Sequence, residues 1–218
     1  KASGRTVTTE PKASRNFMGA LAVTSIWALL ALLSVTTIHP DFLAAAQVAD
    51  TARYALWFAF LLTLFPQTEP RPAGTLRNLA FAALGAAIVT KVAVFLKLGV
   101  TANSRIEMAT LLALPVCGLL MVEQLFRNLG EDSRWNAKPL CLGLGCVFVY
   151  DIYLFSEALL FTRFDVDAQG IRGAVHALSV PLLFVASRRG TDWISRVHVS
   201  RTAAFYSATL VLAGTYLL

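Results

Sequence analysis

The apolar residues of this chain come in runs of roughly twenty, parted by short polar breaks, and that spacing limits what it can fold into. A helix of that length rises about 30 Å, the thickness of the hydrocarbon layer of a bilayer. No water in that layer can satisfy a backbone amide or carbonyl, so a spanning segment must close its hydrogen bonds internally, as a helix does. Seven runs can be marked, at residues 17–38, 43–65, 79–100, 106–125, 139–161, 171–187 and 203–218. The expected fold is all-α, a polytopic integral membrane bundle of about seven transmembrane helices. Residues 1–16 form a leading segment and residues 17–218 one transmembrane domain. The second run is interrupted by Asp50 and Arg53, the sixth is short and holds Pro181, and the seventh stops with the chain.

Composition argues the same way. Of the 218 residues, 56% are hydrophobic and 15% charged, whereas a soluble domain carries about 25% charged residues to cover its core. The net charge of +6 raises the question of a nucleic-acid partner. The basic residues lie between the apolar runs and form no stripe, so they fit control of membrane topology and no nucleic acid is expected. Cys117, Cys141 and Cys146 lie inside apolar runs without CxxC spacing and read as small buried hydrophobes. The chain starts at Lys1 without a signal-peptide pattern and ends inside an apolar run, so it is expected to be an internal piece of a longer protein.

Counting Lys and Arg in the breaks gives an orientation. With residues 1–16 on the cytoplasmic side, thirteen basic residues fall inside and three, Arg105, Arg163 and Arg172, fall outside. Leu218 then points toward the outer face. Trp57, Trp135 and Trp193 fall near the expected inner boundary, as an aromatic belt does, while Trp27 lies deeper and reads as a packing residue. Pro115 with Gly118, and Pro181, are expected to kink their helices. Residues 191–201 mix apolar and basic positions and suit a segment lying on the cytoplasmic surface.

A charged side chain inside a bilayer costs a few kcal/mol on insertion scales, so each one needs a partner, water or a function. Glu107 and Glu123 sit near the ends of their run and can reach the headgroups. Asp50 and Arg53 are three residues apart, on one helical face, and are expected to form a structural ion pair. Lys91 and Asp151 each lie twelve residues into their runs, and Lys97 and Glu157 eighteen. If these runs neighbour each other, Lys91 faces Asp151 and Lys97 faces Glu157. Residues six apart point about 120° away from each other, however, so one seam has room for only one pair. Lys91, Lys97, Asp151 and Glu157, with His176 as a titratable neighbour, are thus the candidate ligand-binding or intramembrane polar site. Structural pairing is the competing reading. No HExxH, GxSxG or P-loop is present, and the histidines at 39, 176 and 198 are scattered. No catalytic residue, metal site or cofactor is therefore expected in this chain.

Residues from Val122 onward carry a resemblance. The run Val122-Glu123-Gln124-Leu125-Phe126-Arg127-Asn128, then Arg134-Trp135 and Leu140-Cys141-Leu142-Gly143-Leu144-Gly145, resembles the membrane region of PrsK-type sensor histidine kinases of the PEP-CTERM/exosortase system. It continues through Tyr150-Asp151-Ile152-Tyr153-Leu154-Phe155-Ser156, Leu159-Leu160-Phe161, Arg172-Gly173-Ala174-Val175, Pro181 and Val199-Ser200-Arg201. The resemblance covers about the last hundred residues; the earlier ones match only in hydropathy. It implies the sensory membrane region of a two-component kinase in a Gram-negative inner membrane, controlling exopolysaccharide and protein-sorting genes. A homodimer follows from the behaviour of that class. A response regulator would be met through a cytoplasmic kinase core that this chain lacks. Such a core requires a further membrane crossing after Leu218, and the family is similar in having one, with another before Lys1. The alternatives from other classes are a small-solute transporter or channel with a path along Lys91, Asp151 and Glu157, and a membrane enzyme with an intramembrane acid–base site.

Overall fold

A computed structural model describes residues 10–37, 40–65, 72–98 and 104–188. These residues form six helices and, among them, no strand: α1 (Glu10–Thr37), α2 (Pro40–Leu64), α3 (Pro72–Phe95), α4 (Arg105–Asn128), α5 (Glu131–Phe161) and α6 (Val166–Arg188). Five of them, α1, α3, α4, α5 and α6, are long and apolar enough to cross a membrane. The chain is thus an all-helical, multi-pass membrane protein. The expectation of about seven spans is corrected to six helices and five such candidates among the described residues. α2 falls short because Asp50 and Arg53 sit in its middle, and the run at 203–218 lies outside the described residues.

Large apolar side chains point outward: Leu29 and Leu32 on α1, Phe81 and Val89 on α3, Val149 and Leu160 on α5, Leu178 and Phe184 on α6. In water a contiguous apolar patch of a few hundred Å² is already unusual. Here such side chains run along whole helices, which is the surface a hydrocarbon solvent requires.

Polar caps set helix ends that hydropathy cannot see. Ser104 accepts a hydrogen bond from the Glu107 amide at 3.3 Å and starts α4. The Asp165 carboxylate accepts from the amides of Asp167 at 2.8 Å and Ala168 at 3.1 Å, so α6 begins at Val166, before the apolar run at 171–187. α3 and α5 also begin earlier than their runs, at Pro72 and Glu131. Proline in the first turn lacks an amide hydrogen the helix has no use for, and polar residues extend a helix out of the hydrocarbon.

α3 ends in a Schellman turn. Lys97 adopts φ 54°, the Leu98 amide donates to the Ala93 carbonyl at 2.8 Å, and the Lys97 amide donates to Val94 at 3.1 Å. A side chain in this left-handed conformation is strained where glycine is not. Lys97→Gly is therefore expected to stabilise the protein by about 1 kcal/mol, seen as a raised thermal midpoint in detergent.

The described residues divide into two compact units, one up to Leu64 and one from Phe65. In the first, α1 packs on α2. Trp57 Nε1 donates to Thr24 Oγ1 at 3.2 Å, and Phe17 meets the Trp57 ring edge-on at 6.0 Å. Trp57 and Trp27 are buried here, Trp135 is exposed, and Trp193 lies outside the described residues.

In the second unit α3 packs on α4, α4 on α5 and α5 on α6. Small residues let these backbones approach, as is usual where lipid supplies no hydrophobic drive. A Cβ added at Gly118 would meet the Phe148 ring at 2.7 Å, and one at Gly143 would meet Leu182 Cβ at 3.3 Å. Phe148 is fully buried and has no room to retreat. Gly118→Val is expected to destabilise the bundle by about 1–3 kcal/mol in detergent melts, and Phe148→Leu in the same chain to restore part of it. The helices continue through Pro115, Pro139 and Pro181. Cys117 is buried, but Cys146 is exposed on the outside of α5, against the expectation that all three thiols are buried.

Candidate functional site

The seam between α5 and α6 holds the most enclosed charges of the second unit. On α6, Ala168, Arg172, His176, Ser179 and Leu183 are all buried, at helical spacings that put them on one face. On α5 the buried face includes Phe148, Asp151, Leu154, Phe155 and Ala158. Asp151 is 0% exposed, Arg172 3% and His176 4%, values that for charged groups demand direct pairing.

The pairing is two-pronged. Arg172 Nε donates to Asp151 Oδ1 at 2.7 Å and Arg172 Nη2 to Oδ2 at 3.1 Å, the planar fork that matches a carboxylate. His176 Nε2 stands 3.5 Å from the same Oδ1. The guanidinium carbon lies 5.1 Å from the Phe155 ring centroid, one turn from Asp151 on α5. Tyr150 donates its hydroxyl to the Ala168 carbonyl at 2.7 Å, a second tie between the helices near the start of α6. Ser179 donates to the His176 carbonyl at 2.7 Å.

Of the residues expected to form a polar site, Asp151 and His176 come together and Lys91 and Lys97 do not join them. The partner of Asp151 is Arg172, not Lys91. Matching depth misled because it was counted from the apolar runs. Lys91 lies four residues from the end of α3, while Asp151 lies ten from the end of α5. Lys91 is close enough to a helix end to extend its amine toward the headgroups. Lys97 lies beyond α3 altogether, in the turn, and is exposed. Its expected pairing with Glu157 is likewise not formed: the Glu157 Oε2 is enclosed without a hydrogen-bond partner among the described residues.

Arg172 lies inside α6, not in the loop outside the membrane where the count of basic residues puts it. The usable signal was the spacing Ala168, Arg172, His176, Ser179, which continues the face of the apolar run backward by one turn.

A second buried ion pair lies within α2. Arg53 donates to Asp50 Oδ1 from Nε at 3.1 Å and from Nη2 at 2.7 Å. Its guanidinium lies over the rings of Trp27 at 4.6 Å and Tyr54 at 4.7 Å. Glu123 pairs with Arg127 at 2.6 Å near the end of α4, partly exposed. Glu107 is buried, which corrects the expectation that it reaches the headgroups. His39 and His198 lie outside the described residues.

Chemically the α5–α6 cluster is a clamp. Both Asp151 oxygens are taken up by one guanidinium, so the carboxylate is not presented as a base or nucleophile. Among the described residues no three His, Cys, Asp or Glu side chains are grouped to hold a metal. No protein-family model matches this chain, and no curated protein or solved structure matches it either.

Proposed function

We propose that this chain is the membrane-embedded sensory region of a two-component histidine kinase of the PEP-CTERM/exosortase type. The observation that carries this reading is where the clamp falls. Asp151 and Arg172 belong to two separate runs of the resemblance to PrsK-type kinases, Tyr150–Ser156 and Arg172–Val175, and they form one buried ion pair. In the proposed role the clamp makes α5 and α6 move as a unit, so that a stimulus acting on one helix is carried by both toward a kinase core further along the chain. The parent acts as a homodimer and passes phosphate to a response regulator. In this reading α2 also crosses the bilayer, its Asp50 and Arg53 neutralised by pairing, so that residues 1–16 and the turn between α4 and α5 both face the cytoplasm, in the inner membrane. Arg172, now inside α6, no longer counts among the outer-face cations, while Lys97, in the turn after α3, joins Arg105 and Arg163 there, so the balance stays three against thirteen.

The transport reading needs a path lined by Lys91, Asp151 and Glu157. It is weakened by the position of Lys91 near a helix end and by the full occupancy of the Asp151 carboxylate.

The reading frame that encodes the chain provides the test. A further membrane crossing followed by a histidine-kinase core with its phosphoacceptor histidine and ATP site is expected downstream of Leu218. A frame that continues into additional transport helices, or stops without a kinase core, would overturn the proposal.

A further inference from the structure

On α5, two cations and an aromatic ring stand at the head of an apolar stripe. Arg134, Trp135 and Lys138 are all exposed, one turn apart, just inside the start of the helix. Below them on α5 run the exposed side chains of Leu142, Val149 and Tyr153. The spacings from Lys138 to Leu142, and from Leu142 to Val149 and Tyr153, keep these positions on one side of the helix.

The cations are held in place but not neutralised. Arg134 Nη2 donates to the Arg127 carbonyl at 3.2 Å, and its guanidinium lies 5.9 Å from the Phe126 ring centroid. Lys138 Nζ sits 5.3 Å from the Trp135 ring centroid. Neither has a carboxylate partner among the described residues, although Glu131 is on the same helix. Arg127, by contrast, is spoken for by Glu123. Two cations with no carboxylate partner among the described residues, near the start of a helix that enters the hydrocarbon, match the phosphate of a lipid headgroup. The apolar stripe that starts beneath them matches its acyl chain, and Trp135 suits the boundary between the two.

We infer that Arg134 and Lys138 bind the headgroup of an anionic glycerophospholipid, whose acyl chain lies along Leu142 and Val149. The occupant is a lipid and not free phosphate, because half of the matching surface is apolar. The inference does not depend on the kinase reading, since it requires only that α5 crosses the bilayer.

The test is native mass spectrometry of the full chain released from detergent. The protein is titrated with phosphatidylglycerol and, separately, with phosphatidylcholine of the same acyl chains. Phosphatidylglycerol is expected to bind about tenfold more tightly, a modest return for two interfacial cations. Arg134→Gln with Lys138→Gln should remove that preference while leaving phosphatidylcholine binding unchanged, which also shows that the variant is folded. Arg163→Gln, which removes an exposed cation beyond the other end of α5, should leave the preference intact. Millimolar inorganic phosphate should not displace the lipid. Equal binding of the two lipids, a preference that survives the double substitution, or displacement by inorganic phosphate would each overturn the assignment.

Discussion

Asp151→Leu is expected to destabilise the folded chain by about 3–5 kcal/mol, because it strands the Arg172 guanidinium in an enclosed site. Arg172 is 3% exposed and has both prongs of its fork on that one carboxylate, so it has no route to water without opening the α5–α6 seam. Arg172→Met alone leaves the opposite charge stranded and should cost a similar amount. The double variant Asp151→Leu with Arg172→Met should recover half or more of the loss, since two apolar residues leave no charge to compensate. Thermal unfolding in detergent, followed by helical circular dichroism, measures all three variants. Single costs that simply add in the double variant would mean that the two side chains are not coupled, and the clamp would be lost with them. Lys91→Met serves as the contrast. On the depth argument it would behave like Arg172→Met, whereas the position of Lys91 near the end of α3 gives it a cost below about 1 kcal/mol.

Arg53→Met should be the second large effect, a loss of about 3 kcal/mol in the same measurement. Arg53 is 1% exposed and does two things at once: it neutralises Asp50 on its own helix and stacks on Trp27 of α1 and Tyr54 of α2. Arg53→Lys separates the two. It keeps the charge beside Asp50 but loses the planar fork and the stacking, so an intermediate loss of about 1–2 kcal/mol is expected. Its Trp27 fluorescence should shift, since the ring loses its cationic neighbour. A lysine variant as stable as the parent would show that charge alone holds α2 against α1.

These two sites differ in how far the sequence revealed them. Asp50 and Arg53 lie three apart in one helix, so their pairing follows from local geometry and could be written down from the residues. Asp151 and Arg172 lie on different helices, and matching them required knowing where α6 begins. Hydropathy put that start at 171, because Val166–Gly170 contains Asp167 and Gln169, but the Asp165 cap begins the helix at Val166. The same effect displaced the starts of α3 and α5. An apolar run marks the part of a helix that lies in lipid, and its polar first turns are invisible to it. The ends of α2 and α5 were legible to within a residue, since there the apolar run and the helix stop together. What hydropathy could not supply was adjacency: α3 packs on α4 and α5 on α6, which depth alone does not encode.

The clamp requires that α5 cross the bilayer with Asp151 enclosed inside it, and accessibility at the two ends of α5 measures that directly. In a chain with Cys117, Cys141 and Cys146 replaced by alanine, a single cysteine is placed at Gly130, before α5, or at Arg163, after it. Both positions are exposed, so access is set by the membrane and not by packing. Intact cells are treated with a membrane-impermeant maleimide. The expected result is rapid labelling at position 163 and none at position 130 until the membrane is permeabilised. Equal labelling of both positions in intact cells would place the two ends of α5 on one side, and contradict the membrane-spanning clamp.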